Sequence, residues 1–322
     1  MNKHEADTHP RRRGHHTDEI QQVYERVLTG TAVRRRYVEV GPGKLVHVLE
    51  HGEGPPVVLL HSPGGPAGFL LPLLNELHGI RAIAPDRPGH GLSDPIHLPR
   101  AGNREAVVAW LDRLFDALEL DTAALLGHSG GAMWALWYAL ARPDRVNRLA
   151  LIGPPAIPGA RIALPIRLNA TLGLGELMSR LARPSRKSLL TFVHHAARER
   201  ETIVRYPDLI DLLLAAGRDR LADKVSRAEI RRVVSPFGLL SRSGLRRKAV
   251  VRPDELSSVA MPTLLIWGEW EPLGGIPVAQ AMVDQIPDAR LVVLPAGHGP
   301  WLGQPKRTAA AVLDLVSQLS SG

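Results

Sequence analysis

The spacing of hydrophobic residues along the chain changes between its N-terminus and the rest. After the polar residues Thr17-Asp18-Glu19, Ile20, Val23, Tyr24, Val27 and Leu28 recur at helical intervals, which predicts one amphipathic helix ending at Gly30. The polar, charged residues before it predict a disordered tail over about 1–17. From residue 36 onward, short unbroken apolar runs are typical of strands buried on both faces of a parallel sheet. We assign 37–40 and 45–49 to a hairpin, and 57–60, 81–84, 123–126, 148–152, 263–267 and 291–294 to further strands.

Helical patterns lie between these runs. They cover residues 105–118, 132–141, 278–286 and 308–319. Strands that alternate with helices predict an α/β protein with a mostly parallel, twisted sheet.

The alternation stops between residues 154 and 257. This stretch is rich in Leu, Ala and Arg, and prolines break it into several helical segments. About a hundred residues between two strands are too many for a loop, so we predict an inserted all-helical unit. The predicted division is residues 1–35 for the tail and first helix, 36–153 and 258–322 for the α/β core, and 154–257 for the insertion.

Composition excludes several classes of protein. Of 322 residues, 44% are hydrophobic and 22% are charged, values that exclude a disordered chain and a coiled-coil rod. There is no cysteine, which excludes disulfide frameworks, thiolate metal sites and cysteine nucleophiles. The N-terminus lacks an apolar signal-peptide core. We therefore expect a soluble protein of the cytoplasm.

The strongest chemical motif is Gly127-His128-Ser129-Gly130-Gly131. It follows an apolar run and opens a predicted helix, which is the strand-turn-helix context that a G-x-S-x-G nucleophile requires. Ser129 is the predicted nucleophile. At the helix N-terminus, the N–H of Gly130 is the predicted donor to an oxyanion.

A serine nucleophile needs a histidine base, and the position of His298 favours it. His298 follows the last predicted strand, and its loop lies where the carboxyl ends of parallel strands place active sites. His61 and His90 lie at the same edge, within Gly- and Pro-rich turns where a structural hydrogen bond is the better interpretation. His128 adjoins the nucleophile, so its side chain should point elsewhere.

The carboxylate that orients the base should follow the strand at 263–267. Two glutamates occur there, Glu269 and Glu271. We select Glu271 and keep Glu269 as the alternative. Ser129, Glu271 and His298 then follow the chain order Ser, acid, His.

These motifs together resemble the α/β-hydrolase family, in particular its members with a helical cap inserted after the sixth strand. The resemblance covers about residues 36–322. It implies an eight-stranded, mostly parallel sheet and hydrolysis through a seryl intermediate, with no metal or organic cofactor. The segments that carry it are 60–66, 84–94, 127–131, 268–272 and 297–298.

Two positions depart from the family pattern. The acid position usually holds Asp, and here it holds Glu271. Pro63 stands where the family has a residue that donates a backbone N–H to the oxyanion, and proline has no N–H. The second donor is then predicted at Gly64 or Gly65, or else that half of the oxyanion hole is missing.

The predicted substrate is a small molecule with a hydrophobic part. Trp301 and Phe69 are the candidates to line its pocket, and a carboxylic ester or lactone is the favoured substrate. Carbon–carbon bond hydrolysis and aminopeptidase action are alternative activities of the same fold. A non-catalytic ligand-binding protein is a further alternative, because of Pro63 and Glu271.

The formal net charge of +8 arises mainly from residues 154–257, which hold 20 Lys and Arg against 10 Asp and Glu. No nucleic-acid motif accompanies them. We therefore expect the charge to attract anionic substrates or an anionic membrane surface. His194 and His195 in this region are predicted to pair with Glu199 or Glu201 rather than with a metal. The sequence leaves the oligomeric state open.

Overall fold

The computed structural model describes residues 15–96, 103–181, 184–235 and 240–317. The predicted N-terminal tail lies outside these residues, except for its last three, which begin the first helix. The α-helices are α1 (His15–Leu28), α2 (Leu71–Leu74), α3 (Asn103–Ala117), α4 (Gly130–Ala141), α5 (Leu164–Ala170), α6 (Leu174–Leu181), α7 (Arg186–Ala197), α8 (Arg200–Ile203), α9 (Pro207–Arg218), α10 (Arg220–Val233), α11 (Pro253–Ser257), α12 (Ile276–Val283), α13 (Pro300–Gly303) and α14 (Pro305–Ser317). Short 3-10 helices cover Ala67–Leu70 and Arg247–Ala249.

Eight strands form one sheet, as predicted. In chain order they are β1 (Arg34–Glu39), β2 (Leu45–His51), β3 (Pro56–Leu60), β4 (Arg81–Pro85), β5 (Ala123–His128), β6 (Val146–Ile152), β7 (Thr263–Gly268) and β8 (Ala289–Leu294). Their spatial order is β1-β2-β4-β3-β5-β6-β7-β8. β2 pairs antiparallel with β1 and β4, and the remaining pairs are parallel.

The unbroken apolar runs are explained by burial on both faces of the sheet. Every residue of β5 and of β7 is buried. One core lies between the sheet and α3, α4 and α12, and the other lies against α1, α2 and α14. The α/β class with a mostly parallel sheet and flanking helices is confirmed.

Residues between β6 and β7 are helical wherever the structure describes them, apart from loops and one antiparallel bridge between Val234 and Leu245. We call residues 154–257 the cap segment. Its helices lie over the loops that carry the predicted site: Leu212 of α9 contacts the position of a Cβ on Gly68, and Val225 of α10 does the same at Gly89. The exact limits of the cap segment remain our prediction.

Helix α1 packs on the domain through a buried carboxylate, Asp86. The Tyr24 hydroxyl donates to Asp86 Oδ1 at 2.7 Å, and His47 Nδ1 lies 2.8 Å from Oδ2. Burial would raise the pKa of Asp86, but His47 and backbone donors such as Leu92 N–H lower it to about 2. Within the described ranges, no helix is both long enough and apolar enough to cross a membrane.

Candidate active site

Ser129 lies on a strained turn between β5 and α4. Its φ of 54° and ψ of −119° are rare for a residue with a side chain, and such strain clusters at functional sites. The Ser129 N–H donates to Ile152 O at 2.8 Å, and Ser129 O accepts the N–H groups of Ala132 and Met133. The backbone is therefore held in the strained form by β6 on one side and α4 on the other.

Small residues around Ser129 are required by close backbone packing. A Cβ on Gly127 would lie 2.4 Å from Gly131 O, and one on Gly131 would lie 2.1 Å from Leu60 O. Both distances are shorter than any van der Waals contact. Glycine at these two positions lets α4 start directly behind the strand, with Ser129 at its N-terminus.

His298 and Glu271 form a hydrogen-bonded pair. His298 Nδ1 lies 2.9 Å from each carboxylate oxygen of Glu271. A carboxylate only accepts, so Nδ1 carries the proton and Nε2 keeps a lone pair for the proton of a nucleophile. The Glu271 side chain is 1% exposed, and Leu273 N–H also donates to its Oε1 at 3.2 Å.

Glu269 occupies a different environment. It is exposed, and its backbone N–H donates to Leu294 O at 2.9 Å. The geometry therefore favours Glu271 over Glu269 as the partner of His298.

The pKa of His298 is raised above its ordinary value of 6.5. Burial alone would lower it, but the charge and hydrogen bond of Glu271, together with the charge of Glu199, outweigh burial. Proton acceptance by His298 is therefore favoured by two carboxylates.

His128 links the Ser129 turn to residues 295–299, the loop that carries His298, the predicted base; we call it the base loop. Its Nε2–H donates to His298 O at 3.0 Å, and the two rings lie 4.6 Å apart. Burial and the neighbouring His298 hold the pKa of His128 well below its usual value, so the ring is neutral. This contact brings the base loop beside the nucleophile turn.

Trp301 and Phe69 contact each other. Trp301 is fully buried, its indole N–H donates to Phe69 O at 3.0 Å, and the two rings meet edge to face at 5.6 Å. Trp301 also packs edge-on against His128 at 4.5 Å. Trp301 thus contacts both Phe69 and His128. Contact of either aromatic residue with substrate stays a prediction.

The two predicted oxyanion donors have different surroundings. Gly130 begins α4, where first-turn amides lack helical acceptors, and Pro63 Cδ lies 2.6 Å from the position of a Cβ on Gly130. The N–H of Gly64, in contrast, donates to Ser226 Oγ of α10 at 3.0 Å. In this conformation the cap segment therefore occupies the Gly64 donor, and Gly65 is the neighbouring alternative.

His90 and His61 are buried and neutral. His90 Nδ1–H donates to Pro88 O, so its Nε2 accepts from the Ser226 hydroxyl at 2.8 Å. Burial, followed by Arg87, lowers the pKa of His90 to about 4. His61 Nδ1–H donates to Ser62 O, and its Nε2 accepts the Arg87 N–H at 2.8 Å. Both rings make the structural hydrogen bonds expected of them.

A buried ion pair joins the loop after β4 to the cap segment. Arg87 donates to both oxygens of Glu229 at 2.8 and 3.0 Å, and its guanidinium lies 4.4 Å above the Trp134 ring. Glu229 Oε1 is 3.2 Å from the position of a Cβ on Gly130. No local pattern in the sequence predicts this pair, because its two residues are 142 positions apart in the chain.

Glu199 is the residue of the site that sequence reasoning missed. The sequence predicts that Glu199 or Glu201 pairs with His194 or His195, and for Glu199 this prediction is wrong: its Oε1 accepts the N–H groups of Gly297 and Gly299. His194 and His195 pack on each other instead, with ring centroids 4.8 Å apart. In the part of the chain that the structure describes, no group of three or more His, Asp or Glu is placed to hold a metal ion.

Comparisons with known proteins agree with this architecture. The family model for the alpha/beta hydrolase fold matches residues 55–302. The 2-hydroxy-6-oxononadienedioate/2-hydroxy-6-oxononatrienedioate hydrolase of Paraburkholderia phymatum is 29% identical over 94% of this chain and 98% of its own length. The 2-hydroxy-6-oxo-6-phenylhexa-2,4-dienoate hydrolase of Burkholderia cepacia is 28% identical over 79% of this chain and 84% of its own.

Solved structures show the same fold. Naproxen esterase from Bacillus subtilis superposes with a TM-score of 0.73 at 21% identity, covering 94% of this chain and 99% of that one. The enol-lactonase from Burkholderia xenovorans has a TM-score of 0.65 at 20% identity, covering 88% and 100%. The chain therefore belongs to the α/β-hydrolase family, and it is a hydrolase.

Proposed function

We propose that the protein hydrolyses a carbon–carbon bond beside a ketone in a small anionic dienoate, with Ser129 as nucleophile, His298 as base and Glu271 as the acid that orients the base. The hydrogen bond between His298 and Glu271, beside the strained Ser129 turn, carries the chemical part of this proposal. It supplies a base of the correct tautomer beside the turn that carries Ser129.

The substrate class rests on two relatives, which match 94% and 79% of this chain. Both are hydrolases of 2-hydroxy-6-oxo dienoic acids. The 20 Lys and Arg against 10 Asp and Glu of residues 154–257 suit an anionic substrate. The ester or lactone favoured by the sequence alone now has less support than the carbon–carbon alternative.

The proposed reaction has two halves. Ser129 Oγ loses its proton to His298 Nε2 and adds to the ketone carbon, and the N–H of Gly130 donates to the resulting oxyanion. Collapse of this adduct breaks the adjacent carbon–carbon bond. This cleavage requires the 2-oxo tautomer of the substrate, in which the enol proton has moved to the carbon beside the 6-ketone and made that carbon tetrahedral. The electron pair of the broken bond is then delocalised over a dienolate, and the proton held by His298 neutralises the 2-oxygen of this dienolate.

Water completes the cycle. His298 takes a proton from water, the hydroxide adds to the acyl group on Ser129, and Ser129 leaves with that proton. The products are a carboxylic acid and the shortened dienoate, so one water is consumed. The same residues would hydrolyse an ester, whose leaving group is an alkoxide.

One substrate panel tests the proposal. Labelling by a fluorophosphonate should occur in the wild-type protein and be lost in Ser129→Ala. 2-Hydroxy-6-oxo-6-phenylhexa-2,4-dienoate should be turned over with a higher kcat/KM than any p-nitrophenyl ester of a chain-length series. Turnover of esters alone would favour an esterase or lactonase. A folded wild-type protein that is not labelled would favour a ligand-binding role.

A further inference from the structure

The cap segment holds the base loop through three consecutive backbone amides. Gly297 and Gly299 donate to Glu199 Oε1 at 2.7 and 3.2 Å, and between them His298 N–H donates to Ala197 O at 2.8 Å. The backbone N–H groups of residues 297–299 therefore all donate to residues 197–199. The main chain of His298 is fixed by the cap as well as by the α/β core.

The backbone at the cap side of this contact is strained. Arg198, between the two acceptors, has a φ of 58° although it is not glycine, a conformation that costs about 1 kcal/mol or more. A Cβ on Gly297 would lie 2.2 Å from Ala197 O. The two segments thus approach too closely for a side chain at position 297. The turn at Arg198 directs both Ala197 O and Glu199 toward residues 297–299.

Among the residues that the structure describes, the buried carboxylate of Glu199 has only uncharged donors. It is 1% exposed, and its donors are two backbone amides and the hydroxyl of Thr202. Burial raises its pKa, and Thr202 with the two amides only partly opposes this effect. A buried carboxylate of this kind is costly unless it serves a nearby charge.

The nearby group that can become charged is His298. It faces Glu271 from the loop after β7, Glu199 from the cap segment and His128 from the nucleophile turn. His128 stays neutral. Glu199 is therefore the second negative charge near His298, and it belongs to the cap segment.

We propose that Glu199 is a positioning residue for His298: its carboxylate anchors the base loop and its charge favours the imidazolium. His298 is then fully positioned as a base only while the cap segment packs against the base loop. This inference rests on the proposed role of His298 as base. Glu199 itself has no contact with the reacting atoms, so its effect is exerted through the loop and through His298.

Two substitutions separate the anchor from the charge. Glu199→Gln keeps an oxygen that can accept from Gly297 and Gly299 but removes the charge. Glu199→Ala removes both. Glu201→Gln is the matched control, because Glu201 is an exposed carboxylate in the same stretch of the cap segment.

The test is the pH profile of kcat/KM on p-nitrophenyl acetate, with NMR titration of the His298 imidazole as a readout independent of turnover. In Glu199→Gln, the acid limb of the profile and the imidazole titration should both move to lower pH, by about half a unit or more. The plateau value of kcat/KM should stay within about threefold of the wild type. Glu199→Ala should show the same shift, and its plateau should fall by about 10-fold or more because the loop is released. Glu201→Gln should match the wild type.

Two results would overturn the proposal. One is an acid limb and an imidazole titration that stay at the wild-type pH in both Glu199 variants. The other is a lower plateau in Glu199→Ala without any shift, which would make Glu199 structural only. A third result concerns the proposed function alone. If the imidazole titration shifts in the Glu199 variants but fluorophosphonate fails to label the wild-type protein, the proposed function is rejected and the coupling between Glu199 and His298 stands.

Discussion

The α-carbon of Gly153 packs directly against the imidazole of His298. A Cβ on Gly153 would lie 2.8 Å from His298 Nδ1 and 3.0 Å from Glu271 Oε2. Gly153 follows β6, and its φ of 53° also favours glycine. The hydrogen bond between His298 and Glu271 therefore requires a residue without a side chain at position 153, directly after β6.

Gly153→Ala should disrupt the site more than the fold. The methyl group must push His298 from Glu271, so we expect kcat/KM to fall by about 100-fold. Gly159→Ala is the control: its φ of 82° imposes similar strain, but its Cβ would meet only Val278 at an ordinary 3.5 Å. Equal losses of kcat/KM in the two variants, with equal falls in Tm, would contradict the prediction.

Glu271→Gln should lower kcat on an activated ester on the order of 1000-fold or more, because the amide can present a donor to Nδ1 and so favour the wrong tautomer of His298. Glu269→Gln should stay near the wild-type rate, since Glu269 is exposed and its side chain is not bonded to His298. Steady-state kinetics on both variants provides the measurement. The reverse order of effects would assign the acid to Glu269.

The pH profile of kcat/KM should report a base with a raised pKa. His298 must be neutral to accept the Ser129 proton, and Glu271 and Glu199 raise its pKa above 6.5 despite burial. Activity should therefore be lost as the pH falls, with its half-point above pH 6.5. A half-point well below 6.5 would show that the two carboxylates fail to outweigh burial.

Breaking the Arg87–Glu229 pair should destabilise the protein. Both side chains are buried, and Glu229→Ala would leave the Arg87 guanidinium as an unpaired buried charge. Loss of one partner from such a pair costs about 3–5 kcal/mol of unfolding free energy. Urea unfolding measures this change.

Asp211→Ala is the control for that measurement. Asp211 forms an ion pair with Arg26, but both side chains are about half exposed, and surface pairs contribute about 0–1 kcal/mol. Similar losses from the two variants would mean that the Arg87–Glu229 pair is not specifically stabilising.

The sequence alone determined the features that depend on neighbours in the chain. Apolar runs located the strands, because a strand buried on both faces must be apolar throughout. Glycine spacing located the Ser129 turn, because β5 and α4 approach too closely there for side chains. An acid after β7, at Glu271 or Glu269, and His298 after β8 followed from the edge that carboxyl ends of parallel strands share. The hydrogen bond that distinguishes Glu271 from Glu269 is seen only in the structure.

Only the tertiary structure decided what distant segments contribute. Gly64 lies in the predicted loop, yet its N–H is donated to Ser226, 162 residues away. Glu199 was assigned to nearby histidines, whereas it binds Gly297, 98 residues away. Both contacts are made by the cap segment, whose packing over the sheet is set by side-chain complementarity between remote helices and loops. A pattern read along one chain records spacing within an element, but it does not record which remote donor an acceptor will face.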